Sequence, residues 1–350
     1  MSASSPTSSS DPSFGRVGEP MTRRHGPVTS SDAGRLAVTA LIDGQVHERV
    51  GPDAVSRLPE LLAAPGATVW IDLADPSPGQ VEALGAALGL HPLIVEDVLE
   101  GDQRAKIETT DGVVHLVLFA LVHGDRFSAS EIDLVLGRGY LVTIHDAAWD
   151  PRSGSHLRSG PAAVMRHGPD HLLWAICDDI VDGYFPVADE LGDAIDAVQD
   201  RVVERADKDV LEDLFGLKRD LIEVRRAASP TREVFNQLTN RDLPLIDDDE
   251  LVYFRDVYDH LIRLTDELDN YRELAAATLD VYLTQVNNNL SVIMKRLTGV
   301  TVILAGIGAI AGIFGMSEAH TEAGSFWVVT AAIVGLAAVA AIILRRIDWI

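Results

Sequence analysis

Residues 297–316 read LTGVTVILAGIGAIAGIFGM and residues 325–344 read SFWVVTAAIVGLAAVAAIIL, two runs of twenty residues without one charged side chain. About 20 consecutive apolar residues cross the hydrocarbon core of a bilayer as a helix. A buried hairpin in a large soluble core is the competing reading, and two adjacent runs of full spanning length speak against it. Lys295 and Arg296 precede the first run, and Arg345 and Arg346 follow the second. The connection at 317–324, SEAHTEAG, holds Glu318 and Glu322 but no Lys or Arg. Positive flanks stay on the cytoplasmic side, so both termini, including a basic tail at 345–350, are expected in the cytoplasm and the short connection outside. Trp327 and Trp349 suit the two interfaces. The expected location is the cell membrane, with the lipid bilayer as a partner.

Upstream of the first run, no proline occurs after Pro244. Apolar residues recur at three- and four-residue steps: Val257, Leu261, Leu264, Leu268, Tyr271, Ala275, Leu279, Tyr282, Val286, Leu290, Ile293 and Leu297. This is a coiled-coil-like seam. It predicts one helix from about 250 to 316, a stalk at 250–296 running into a span at 297–316. At ~1.5 Å per residue such a helix is roughly 100 Å long. That is too long for one globular domain, so packing of stalks in an oligomer is expected.

A second stripe on the same helix is polar or small: Asp280, Thr284, Asn287, Ser291, Thr298, Thr301, Gly308 and Gly312, with Met294 and Ala305 completing it as apolar positions. Polar groups at membrane depth face a bundle interior or water. The stripe predicts a pore lining in which Met294 and Ala305 are the apolar, dewetting positions, with Leu297 joining Met294 at the inner constriction. Gly308 and Gly312 also suit a packing face of small residues. One such helix cannot enclose a pore, so a symmetric ring of subunits follows from this reading.

The remaining chain divides by pattern. Residues 1–35 are rich in Ser, Pro and Gly and predict a disordered tail. No apolar segment follows Arg23 and Arg24, so no targeting peptide is expected. Between 36 and 170, LAVTALID, ATVWIDL, VVHLVLFALVHG, EIDLVLG and YLVTIHD predict strands. SPGQVEALGAALG and HPLIVEDVLEG predict capped helices between them. Residues 171–249 predict acidic helices interrupted at Pro230 and Pro244. The net charge is −24, with 53 acidic residues against 29 basic ones. Phosphate backbones are held by Lys and Arg, so nucleic acid is not an expected partner. Cys177 is the single cysteine, which excludes a disulfide framework.

Several segments resemble the CorA family of magnesium transporters: WIDL at 70–73, HPLIVEDVLEGDQRAKIE at 91–108, YFRDVYDH at 253–260, DVYLTQVNNNLSVIMKRLT at 280–298 and IAGIFGM at 310–316. They lie in order ahead of and within the first apolar run. The resemblance implies an α+β membrane protein, a funnel-shaped pentamer. Each subunit would have a cytoplasmic α/β domain and a stalk helix continuous with the first of two spans. It implies Mg²⁺ as cargo and as a regulatory ion, held between subunits by Asp97 of one and Asp256 of the next. Glu96, Asp178 and His260 are the implied secondary group. The family's Gly-Met-Asn at the outer mouth is Gly315-Met316-Ser317 here, and its Asn ring position falls on Ser291.

No Gly-rich loop with Lys cradles a phosphate and no His-Glu-x-x-His occurs, so neither a nucleotide-driven pump nor an enzyme is expected. His115, His145 and His171 have no partner at ligand spacing, and no zinc site is assigned to them. The functional expectation is uptake of Mg²⁺, with Co²⁺, Ni²⁺ or Zn²⁺ as other cargoes. A non-conducting metal sensor is the alternative that the serine substitutions favour.

Overall fold

The computed structural model describes residues 34–101, 103–122, 127–241, 243–316 and 323–346. Most of the expected tail, Ser317 with the rest of 317–322, and 347–350 lie outside them. Seven strands form a sheet: β1 (Arg35–Ile42), β2 (Gln45–Val50), β3 (Thr68–Ala74), β4 (Lys106–Thr110), β5 (Val113–Val122), β6 (Ser128–Gly137) and β7 (Tyr140–His145). Their order is β2-β1-β3-β7-β6-β5-β4, with β3 and β7 parallel and the other neighbours antiparallel. Three hairpins close through two residues, at Asp43-Gly44, Asp111-Gly112 and Arg138-Gly139. Asp43 and Gly44 have φ of 50° and 76°, and Asp111 and Gly112 of 51° and 75°. Both pairs thus adopt the left-handed turn that matches strand twist.

β2 and β4 are strands that the apolar pattern did not predict. β2 is exposed along its whole length and β4 buries only Ile107. Edge strands have no second neighbour, so the Asp-Gly turns define them rather than an apolar face. β3 and β7, by contrast, are buried at every position. Such strands have both faces covered.

Three helices, α1 (Leu58–Leu62), α2 (Pro78–Leu88) and α3 (Pro92–Glu100), cover one face. Val38, Ile71, Val142 and Ile144 of the sheet pack there with Leu58, Val81, Leu84, Ile94 and Val98. Ser77 caps α2, its amide donating to Gln80 Oε1 at 2.9 Å, and Gly89 ends it at φ 68°. His91 Nδ1 accepts from the Leu93 amide at 3.2 Å where α3 begins. After α4 (Ala162–Met165), α5 (Pro169–Asp182) packs against β3, β5, β6 and β7.

The sheet face turned away from α1–α3 holds a buried polar chain. Trp70 Nε1 donates to Thr143 Oγ1 at 3.1 Å, and Thr143 Oγ1 donates to Asp72 Oδ1 at 2.7 Å. His145 Nε2 lies 3.2 Å from the same carboxylate oxygen, and Arg35 reaches Oδ2 at 3.4 Å. Burial works against the His145 imidazolium, yet the hydrogen bond and charge of Asp72 outweigh it and hold His145 above its ordinary value.

Four longer helices complete the chain: α6 (Tyr184–Glu204), α7 (Lys208–Asn240), α8 (Leu251–Met316) and α9 (Ala323–Arg346). They contribute to two compact units. The first runs through Ala197 and takes in Glu212–Ala275; the second is Val198–Leu211 with the chain from Ala276 onward.

In the first unit the seam of α8 is used internally. Val257, Leu261, Leu264 and Leu268 are buried. The Phe235 and Phe254 rings lie 6.4 Å apart, Arg232 donates to Thr265 Oγ1 at 3.0 Å, and Arg225 pairs with Asp269. The seam expected between subunits is therefore, as far as Ala275, packed within this chain, against α7 at Phe254, Thr265 and Asp269 and against Gly192 of α6 at Tyr271. A three–four repeat marks a face to be buried but not which helix buries it. Pro230 also departs from expectation, since α7 continues through it. Proline removes one ladder bond, but Ala227, Ala228, Thr231, Val234 and Phe235 are all buried around it. Thr231 Oγ1 also donates to the Ala227 carbonyl at 2.8 Å. Packing outweighs the local penalty.

In the second unit Tyr282 is still buried, and Gln199 Nε2 donates to Thr278 Oγ1 at 3.1 Å. From there the seam emerges: Leu290, Ile293 and Leu297 are exposed. Further along, Ile303, Ile307 and Ile310 of α8 are half-buried, as are Thr330, Ile333, Ala337, Ala340 and Leu344 of α9. These are narrow stripes at helix–helix spacing. Val302, Leu304, Ile313, Leu336 and Ile342 are each more than half exposed.

Two outcomes follow for the buried polar chain, both read as the urea midpoint of the full chain in detergent. Thr143→Val strands the Trp70 donor and should cost about 1–3 kcal/mol. The His145 contribution is complete below its ordinary value of 6.5 and is lost as pH rises through the raised value. The midpoint should fall across that window in the parent and not in His145→Gln.

Candidate metal sites and the long helix

Asp178 stands on α5 and His260 on α8, and the first unit brings them together. Asp178, Asp182 and His260 each place one donor atom within 4.8 Å of the others'. His260 Nδ1 lies 3.8 Å from Asp182 Oδ1, while its Nε2 lies 3.8 Å from Asp256 Oδ2. Neither distance is a hydrogen bond, so the imidazole sits between two carboxylates without engaging either. Asp182 was not singled out in the sequence. Its four-residue step from Asp178 on a helix was the available signal.

The group is short of positive charge. Burial pushes the Asp182 carboxyl above its ordinary value, and the Asp178 charge adds to this, against the pull of His260. One oxygen of Asp178 is held by His156 Nε2 at 2.8 Å. Two carboxylates and an imidazole with spare lone pairs are a donor set that a divalent cation could use, and its charge would offset both the burial and the Asp178 repulsion that raise Asp182. Asp256 extends this set from the exposed side, its side chain 71% accessible.

Asp97 lies elsewhere, on α3, and is already paired. Lys106 Nζ donates to Asp97 Oδ2 at 2.5 Å and lies 3.6 Å from Glu108 Oε1. Burial lowers the Lys106 pKa, but the Asp97 hydrogen bond and the Glu108 charge outweigh it and the ammonium is held above its ordinary value. Glu96 is exposed beside Asp97 on the same helix. Asp97 therefore meets a cation of its own chain, while any meeting with Asp256 of another copy is a matter for assembly.

The expected pore stripe is exposed along α8. Asp280, Asn287, Ser291, Met294, Leu297, Ala305 and Gly312 are all exposed, and between Asn287 and Thr298 every residue is. Thr284, Ser291 and Thr301 hydroxyls donate to the carbonyls of Asp280, Asn287 and Leu297 at 2.8, 2.9 and 2.8 Å. Each hydroxyl is thereby satisfied by its own helix and keeps its lone pairs outward. Among the described residues, one helix, within Leu251–Ile313, is long and apolar enough to cross a membrane, with 6% of its apolar window buried. Gly315 and Met316 close α8.

This architecture, an α/β domain followed by helices and a long apolar-ended helix, is that of solved CorA structures. The CorA magnesium transporter of Methanocaldococcus jannaschii superposes with a TM-score of 0.74 at 24% identity, over 90% of this chain and 98% of that one. Residues 65–346 match the family described as CorA-like Mg2+ transporter protein. The chain belongs to this family. It is 32% identical over 243 residues to the cobalt/magnesium transport protein CorA of Thermotoga maritima, covering 68% of this chain and 69% of that protein. It is 28% identical over 287 residues to the putative metal ion transporter YfjQ of Bacillus subtilis, covering 80% and 87%.

If the Asp178–Asp182–His260 group takes a cation, Co²⁺ should raise the melting temperature of the detergent-solubilised chain. Asp182→Asn should shrink that rise by at least half while leaving the metal-free melting temperature equal or higher, because a like-charge contact is gone. An unchanged Co²⁺ response in Asp182→Asn would show that the three donors do not act together.

Proposed function

We propose that this chain conducts divalent cations, Mg²⁺ foremost, into the cell as one subunit of a pentameric ring. In this reading α8 lines the pore, α9 is the outer span, and both termini are cytoplasmic. The observation that carries it is α8 itself. It is unbroken from Leu251 to Met316, buried at its start and exposed on nearly all sides over its apolar end. Exposed apolar surface on that scale needs lipid or neighbouring subunits. The polar positions Asp280, Asn287 and Ser291, exposed on one stripe, supply the water-facing side of such a ring.

Inward movement of a divalent ion gains about 4.6 kcal/mol per 100 mV of inside-negative potential, twice the single-charge value. Uptake therefore needs no nucleotide. Regulation rests on carboxylates: Asp97 and Asp256 of adjacent subunits, with Glu96, Asp178 and His260 beside them, form intersubunit sites for cytoplasmic Mg²⁺. Oxygen donors with retained water suit that hard ion. The bound ion offsets repulsion between the acidic subunits, and its loss frees the stalk helices to move at Met294 and Leu297.

A non-conducting metal sensor remains the second reading because of Ser317. A ring of hydroxyls holds a hydrated ion at shorter reach and with fewer donors than a ring of amides. The test is Mg²⁺ uptake into vesicles, followed with an internal dye across external concentrations. Uptake in the parent that gains apparent affinity in Ser317→Asn supports conduction with a weakened mouth. Absence of flux of any divalent ion in both proteins gives the sensor reading. A mass in detergent corresponding to a monomer or dimer removes the pore altogether.

In Asp97→Asn with Asp256→Asn, cytoplasmic Mg²⁺ should protect the α8 stalk from protease less than in the parent. Protection equal to the parent's would leave these acids no part in gating.

A further inference from the structure

His115 is wholly buried in β5, on the sheet face covered by α3. Its Nε2 lies 2.9 Å from Asp133 Oδ1 of β6, a carboxylate that is itself fully buried. Its Nδ1 is buried with no hydrogen-bond partner. An imidazole nitrogen withdrawn from water and left unpaired is costly unless something else uses it. Glu108 stands directly across from His115 in the β4–β5 pair, and Asp97 comes down from α3. One donor atom each of Asp97, Glu108 and His115 lie within 4.8 Å of one another. Three carboxylates thus converge on this point, Asp97, Glu108 and Asp133, with Lys106 as the cation between the first two.

The geometry points to a transition-metal site here: Asp97, Glu108 and His115 Nδ1 bind a borderline divalent ion of the Co²⁺/Zn²⁺/Ni²⁺ class, with Lys106 as its tethered substitute. The donor set makes the class. Imidazole with carboxylates suits Zn²⁺, Co²⁺ and Ni²⁺, whereas Mg²⁺ takes oxygen and water. Asp133 performs the supporting part: it accepts the Nε2 proton, fixes the tautomer and leaves Nδ1 as the free lone pair, the carboxylate–histidine–metal arrangement. In the ion's absence the Lys106 ammonium neutralises Asp97 and Glu108; entry of the ion displaces it outward, where its flexible stem reaches solvent. The site lies within one chain and shares Asp97 with the intersubunit clamp proposed above. A borderline metal ion seated here takes Asp97 away from that clamp, so the two classes of ion compete for one carboxylate.

The test is equilibrium binding of Co²⁺ to the full chain in detergent, read from the visible absorption of imidazole-ligated cobalt, in a His260→Gln background that removes the other His-containing group. The parent of this series should bind Co²⁺ with excess Mg²⁺ present. Glu108 is half exposed, so Glu108→Gln keeps the fold and should weaken Co²⁺ binding at least about tenfold, and Asp133→Asn should weaken it about 10–100-fold. Lys106→Met should instead tighten it, because the internal competitor is gone. Weakening in one variant and tightening in the other is the signature. Equal Co²⁺ affinity in the series parent, Glu108→Gln and Lys106→Met overturns the site. No flux is measured, so a chain that fails to conduct still tests this site, and a chain that conducts can still fail it.

Discussion

Inside lipid every backbone N–H and C=O must find its partner within the segment or a neighbouring one, and that constraint governs α8. The helix carries its ladder without a break from Leu251 to Met316. Proline is absent from this stretch and every hydroxyl on the outward stripe that has a described bond returns it to the ladder, as Thr284, Ser291 and Thr301 do. A single broken turn would leave polar groups facing hydrocarbon at several kcal/mol each. The first turns of α8 are clasped by α7 through Phe235, Arg232 and Arg225, and its last turns have only narrow covered stripes.

Charge is the second organising term. A net −24 on one subunit opposes close association of copies unless cations intervene. The described carboxylates near the candidate sites show two ways of living with that repulsion. Asp97 and Glu108 share Lys106, so the compensation is internal. Asp178 and Asp182 have imidazoles beside them, and burial, with the Asp178 charge adding to it, pushes the Asp182 carboxyl up. In the first arrangement the carboxylates are neutralised by a lysine and His115 Nδ1 beside them is left unpaired; in the second no full cation stands between the carboxylates.

The sequence by itself determined the elements whose cause is local. Twenty uncharged residues make a long apolar helix, the absence of proline after Pro244 makes α8 one piece, and Ser77, Pro78 and Gly89 delimit α2. It also determined the family, through long motifs such as 91–108 and 280–298. What it left undecided were matters of partnership. The α8 seam announced a buried face, and only tertiary packing chose helices of the same chain, α7 and α6, as its cover up to Tyr271. Pro230 announced a break, and burial of Ala227, Ala228 and Phe235 outweighed the lost bond. The exposed strands β2 and β4 had no apolar face to read. His115 had no ligand at ligand spacing along the chain, yet pairing of β4 with β5 and the descent of α3 set Glu108 and Asp97 beside it. Periodicity and capping are written in neighbouring residues; a donor set is written in which strands pair, and that is fixed by long-range burial.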